Sequence, residues 1–184
     1  MKGGQFIIVM ITASHNPGHD NGVKLVDPAG EMLEQEWEGV ATKLANCPDA
    51  ELRAELTQAC KDGILAVGGK CEDIGLVTTP QLHYIVVCLN TRGAYGQPTL
   101  SGYYDKLSSA FNKFMSLVPD KGQYSPSLVF DGANGVGAVS MAQFQPLVAS
   151  SLSVTICNNG QEGGELNSGC GADYVKVKQT LPRG

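Results

Sequence analysis

Ser14 stands between the apolar run Phe6 to Ile11 and the dipeptide Asn16-Pro17, with His15 beside it and Lys24 ten residues on. A serine at the end of a buried strand is exposed on rigid backbone, which suits a nucleophile or a phosphate carrier. A serine in a polar turn is by itself only a turn residue, so the neighbours carry the argument. Asn16-Pro17 fixes the turn, and a hairpin could fold Lys24 back towards Ser14. A phosphate on Ser14 would bring about -1.5 to -2 charges and would need a divalent cation and cationic side chains around it. Lys24 and His15 are the candidate providers. The plainer alternative is a Lys24 that merely solvates the hairpin.

The elements that would position these residues follow from periodicity. Phe6 to Ile11 is a continuous apolar run and reads as a strand covered on both faces. Val23 to Val26 reads as a short strand between the turn signals Asn21-Gly22 and Asp27-Pro28-Ala29-Gly30, which makes a hairpin. Helical spacing predicts helices over Glu34–Asn46 and Glu51–Cys60, separated at Pro48. Ile64–Val67 and Ile74–Val77 are strand candidates, whereas Leu82–Leu89 is apolar enough for either a buried helix or a strand and is read as a helix. Thr99 could cap a helix through Met115, with Tyr103, Leu107, Ala110, Phe111 and Phe114 on one face. After a linker, Leu128–Phe130, Ala138–Val148 and Leu152–Ile156 form a strand, helix and strand around the Gly-rich turn Asp131 to Gly137, a βαβ unit. No further strand is expected after Asn158. The fold class is α/β, with a mixed-sheet domain over residues 1–118, a linker over 119–126, and the opening βαβ part of a second domain over 127–184.

Composition excludes some classes of function. Across 184 residues, 42% hydrophobic and 17% charged residues are ordinary for a globular chain, and the net charge of -5 supplies no basic stripe. Nucleic acid and membrane partners are therefore not expected. The apolar run near the N-terminus is too short for a secretory signal, so a cytoplasmic location is expected. Six cysteines without a Cys-x-x-Cys pair read as buried, reduced thiols.

Three other motifs fail on spacing. A serine hydrolase would need a Gly-x-Ser-x-Gly elbow, and adjacent Ser14 and His15 side chains on an extended segment point apart. In Gly63 to Cys71, Gly69 is inserted before Lys70 and Cys71 replaces the Ser or Thr of a P-loop. Gly132 to Gly137 lacks the Gly-x-Gly-x-x-Gly spacing of a dinucleotide site and reads as a structural strand-to-helix turn.

The run Thr12-Ala13-Ser14-His15-Asn16-Pro17 resembles the active loop of the α-D-phosphohexomutase superfamily without a mismatch. Within it, Asn21 to Pro28, Glu31-Met32-Leu33, Thr78 to Tyr84, Asp131 to Gly135 and Cys170 to Asp173 are similar to the phosphoacetylglucosamine mutase branch. The resemblance implies an intramolecular phosphotransferase that interconverts N-acetylglucosamine 6-phosphate and N-acetylglucosamine 1-phosphate, in UDP-N-acetylglucosamine biosynthesis. It implies Ser14 as phosphoserine carrier, Lys24 in proton transfer or phosphate stabilisation, and His15 in an orienting or electrostatic role. Asn16, Thr78 and Thr79 would meet the sugar-phosphate substrate. Mg²⁺ would be held partly through the Ser14 phosphate, and a sugar bisphosphate would serve as activator or intermediate.

The chain also departs from that pattern. Nothing in Met1 to Gln5 resembles the family's Gly-Thr-Ala-Gly-x-Arg stretch, and Ala59 to Gly63 passes directly across the place of a strand ending in Gly-Arg-Asp-x-Arg. No Asp-x-Asp occurs anywhere in the sequence, so the Asp-rich loop that supplies metal ligands is absent. A hard cation needs several well-placed oxygens. The sequence therefore predicts a truncated, internally deleted form that is inactive alone. The alternative is a non-catalytic isoform that binds the full-length enzyme or a sugar phosphate.

Overall fold

The computed structural model describes residues 6–12, 22–26, 28, 51–66, 68–117, 122, 125–161, 163–169 and 171–181. It divides into two compact units, Met1–Leu76 and Val77–Gly184. We propose the linker at residues 119–126 as a domain boundary, distinct from this division by contacts.

In the first unit, β1 (Ile8–Thr12) and β2 (Gly22–Val26) pair antiparallel, with Ile8 opposite Val26, Met10 opposite Lys24 and Thr12 opposite Gly22. This is the hairpin read from the sequence. Ile8, Met10 and Val26 are buried on one face, whereas Ile7 is 61% exposed. On the other face of the strand Val9 and Ile11 are half-buried, so β1 is fully covered on one side and partly covered on the other.

Helix α1 (Glu51–Ala66) runs six residues beyond the expected end at Cys60. It absorbs Ile64–Ala66, which the sequence marked as strand. Extending a formed helix across Gly63 costs about 1 kcal/mol, whereas an isolated strand would leave its backbone groups unpaired. The other strand candidate, Ile74–Val77, is irregular. Asp73 accepts a hydrogen bond from the Gly75 amide at 2.8 Å, and Gly75 has φ +77°. That local turn replaces the extended backbone a strand requires. The expected helix over 34–46 lies outside the described residues.

The second unit opens with α2 (Thr79–Asn90), where Thr78 is the N-cap and the Gln81 side chain accepts from the Thr78 amide at 2.7 Å. Helix α3 (Leu100–Leu117) starts at Thr99, whose hydroxyl accepts from the Gly102 amide at 3.0 Å, the cap read from the sequence. The expected face packs only in part: Tyr103 meets the Tyr84 ring of α2 edge-on and Phe111 is half-buried. Leu107 and Phe114 are 42% and 64% exposed, while Ser108 is buried, and Asn112 donates to the Leu147 carbonyl at 3.1 Å. The neighbouring helix meets a polar stripe one step around from the apolar one.

Strand β3 (Ser127–Asp131), helix α4 (Val136–Val148) and strand β4 (Ser153–Cys157) form the anticipated βαβ unit, with β3 and β4 parallel and Ser127 opposite Ser153. Ala138, Val148 and Val154 are buried within it. A short helix, α5 (Gly171–Lys178), follows, an element the sequence reading did not include.

Candidate functional site

The hairpin ladder ends at the Thr12–Gly22 pair, so β1 delivers its chain directly into the segment holding Ser14, His15 and Asn16. Those three residues lie outside the described residues. Lys24 is described and is half-buried, opposite Met10. Directly paired residues project to the same face of a sheet, and this face buries Ile8, Met10 and Val26. Lys24 therefore does not stand on the open side of the hairpin. Two residues separate it from the loop end, roughly 7 Å at strand rise, within the span of an extended lysine side chain.

Thr78 and Thr79 belong to the second unit. Thr78 caps α2, and Thr79 lines a groove of about 630 Å³ between α2 and α3, along with His83, Tyr84, Tyr95, Tyr103 and Lys106. The Lys106 ammonium lies 3.4 Å from the Tyr95 ring centroid and donates to the Tyr95 carbonyl at 2.6 Å. Burial, with Cys88 beside it, pushes the Tyr84 hydroxyl up to about 12. Neither Lys106 nor Tyr95 was singled out in the sequence, because they come together only through the α2–α3 packing. Gln81 was also missed, although the Thr78-x-x-Gln81 spacing is a capping-box signal. Its buried amide donates to the Tyr104 hydroxyl at 2.7 Å and to Ser140 at 2.9 Å, tying α2 to α3 and α4.

The Gly-rich turn after β3 is structural, as expected. Asp131 accepts from the Ala133 amide and from the Asn158 amide side chain, both at 2.9 Å. These bonds hold its carboxyl below the usual carboxylate range. Ala133 and Asn134 adopt φ +49° and +56°, and the Asn134 side chain accepts from the Gly160 amide at 3.0 Å.

The donor set among the described residues does not fit a magnesium site. Among the described residues no three His, Cys, Asp or Glu side chains are grouped to hold a metal. Asp131 is committed to its own turn, and Asp73 to Lys61 at 2.8 Å and to Gly75. No Asp-x-Asp exists elsewhere in the chain to supply the set. Of the cysteines, Cys88 is buried, Cys60 and Cys157 are half-buried and Cys71 is exposed, so uniform thiol burial does not hold. Cys47 and Cys170 lie outside the described residues.

Residues 5–47, which contain the hairpin, the Ser14 loop and Lys24, match the family model for phosphoglucomutase/phosphomannomutase, alpha/beta/alpha domain I. Human phosphoacetylglucosamine mutase is 42% identical over 206 residues, taking in 96% of this chain and 38% of the relative. The chain is a homologue of the phosphoacetylglucosamine mutases, in the α-D-phosphohexomutase family. A crystal structure of N-acetylglucosamine-phosphate mutase in its substrate complex matches with TM-score 0.79 and 36% identity, over 98% of this chain and 40% of that one. The Aspergillus fumigatus N-acetylphosphoglucosamine mutase in complex with GlcNAc-6P and magnesium matches with TM-score 0.73 and 38% identity, over 97% of this chain and 39% of that one. The chain thus spans about two fifths of the length of these relatives. Since 96% of 184 residues is about 177, roughly thirty of the 206 positions aligned with the human protein have no counterpart here. No helix among the described residues is long and apolar enough to cross a membrane.

Proposed function

We propose that this chain carries the phosphate-transfer loop of a mutase that interconverts N-acetylglucosamine 6-phosphate and N-acetylglucosamine 1-phosphate, serving UDP-N-acetylglucosamine synthesis, and that it does not complete that cycle alone. The observation that carries the reading is the placement of Lys24. It is half-buried on the covered face of the hairpin, at lysine reach of the Thr12–Gly22 pair from which the chain enters the Ser14 segment. In this reading the Ser14 hydroxyl accepts a phosphoryl group from a sugar bisphosphate, and its proton passes to the sugar oxygen that is released. Lys24 offsets charge on the equatorial oxygens as the group moves. His15 orients the loop, Asn16 meets the sugar, and Thr78 and Thr79 contribute to substrate binding. The relative solved with GlcNAc-6P and magnesium supports the substrate class and the metal requirement. The missing carboxylate set supports inactivity of the chain by itself, and it equally supports a non-catalytic product that retains sugar-phosphate binding.

Incubation with glucose 1,6-bisphosphate and Mg²⁺, followed by intact mass and peptide mapping, tests the assignment. Slow, incomplete phosphorylation at Ser14 is expected, absent in Ser14→Ala and about tenfold slower in Lys24→Ala. No conversion of N-acetylglucosamine 6-phosphate should accompany it. Phosphate on another residue, or none, refutes the carrier role; steady conversion refutes the inactivity.

A further inference from the structure

We propose that Cys60 and Cys71 are a redox pair that closes to a reversible disulfide and locks the end of α1 to the segment that follows it. The backbone brings them level. The Gly69 amide donates to the Ile64 carbonyl at 2.8 Å, and a Cβ at Gly69 would meet the Ile64 side chain at 2.7 Å, so the chain leaving α1 lies on the helix face that bears Ile64. Cys60 is four residues before Ile64, on the same face and about 6 Å back along the axis. From Gly69 the chain runs back in the same direction, because Asp73 reaches Lys61 at 2.8 Å. Two extended residues beyond Gly69, again roughly 6–7 Å, bring the chain to Cys71. Burial raises the Cys60 thiol above its ordinary value, and the neighbouring Cys71 adds to that rise. Cys71 also acts electrostatically on Lys61. The two sulfurs therefore share one small region with the Lys61–Asp73 clasp.

Their different exposure sets the order of events. Cys71 is exposed and meets an oxidant first, while Cys60 is half-buried. With oxidised glutathione, the Cys71 thiolate attacks one glutathione sulfur, forms a mixed disulfide and releases one glutathione thiolate. The Cys60 thiolate then attacks the Cys71 sulfur and expels the second. Two cysteine thiols are oxidised by two electrons, one glutathione disulfide is reduced to two thiols, and the protons balance. Dithiothreitol or reduced glutathione reverses the closure.

The test uses the full 184-residue chain with oxidised glutathione, alkylation of remaining thiols and non-reducing peptide mapping. One internal link between Cys60 and Cys71 is expected ahead of any other pair, with Cys88 unmodified. Closure should be several-fold faster in native buffer than in denaturant, where the clasp is lost, and slower in Asp73→Ala. Cys60→Ser should stop at the glutathione adduct on Cys71. A persistent adduct on Cys71 in the unaltered chain, or equal closure rates in native buffer and denaturant, would overturn the proposal.

Discussion

At the scale of single residues, the most consequential side chain outside the serine loop is Gln81. It is 2% exposed and uses both ends: its oxygen accepts from the Thr78 amide, and its nitrogen donates to Tyr104 and Ser140. A buried polar hub of this kind is expensive to break, because each former partner is left facing protein instead of water. Gln81→Ala is expected to lower stability by about 2 kcal/mol, read as a shift in the urea midpoint of the helical signal. Gln81→Glu should also destabilise, since it places a carboxylate at this buried position and the charge must be desolvated. Asp131 gives a different signature. Its carboxyl is held down first by the Ala133 amide and then by Asn158. A depressed folded-state value contributes stability that is full above the unfolded value of about 3.9 and is lost as pH falls through the folded value. Acid titration followed by circular dichroism should therefore show a loss beginning below about pH 4 that is reduced in Asp131→Asn.

At the scale of elements, the turn between β3 and α4 separates two glycines that look alike in sequence. A Cβ on Gly132 would collide with the side chain and Cα of Ala138 and approach the Asn158 carbonyl at 3.0 Å, so strand and helix meet through its hydrogen. Gly132→Ala is expected to cost about 1–3 kcal/mol by overpacking. At Gly137, one position into α4, the nearest atom to a Cβ is the Phe130 ring at 3.8 Å, an ordinary contact. Gly137→Ala is expected to stabilise by about 0.5–1 kcal/mol through helix propensity and a less mobile unfolded chain. Opposite shifts in thermal midpoint would verify both, and a pair of like sign would contradict the packing. Elements set by local signals were legible in the sequence: the hairpin from its turns, α2 from its apolar run, α3 from Thr99, and the βαβ unit from its glycines. Those that depend on a missing neighbour were not. Ile64–Ala66 reads as strand by composition, but pairing needs a third strand that the described residues do not contain, so the helix claims it. The packed face of α3 was legible only in part for a related reason. Polar Gln81, Asn112 and Ser140 make the contacts there, and an apolar periodicity does not reveal them.

At the scale of the whole molecule, the decisive fact is that the chain covers about two fifths of the length of relatives it matches closely. A parallel sheet is ordinarily buried on both faces. Here β3 and β4 pair only with each other among the described residues; Leu128 and Val154 are partners on the face that α4 packs, where Val154 is buried, whereas Val129, on the opposite face, is 69% exposed. One face is packed by α4, and the other presents the exposed, β-branched pair Val129 and Thr155, beside strand edges that pair with no other described strand. Exposed strand surface of that kind recruits other chains. Sedimentation velocity should accordingly show concentration-dependent self-association of the isolated chain. Val129→Lys, which places a charge on the exposed face without touching the α4 side, should reduce that association and leave the helical circular-dichroism signal intact. A monodisperse monomer across the accessible concentration range would mean that this face is already covered.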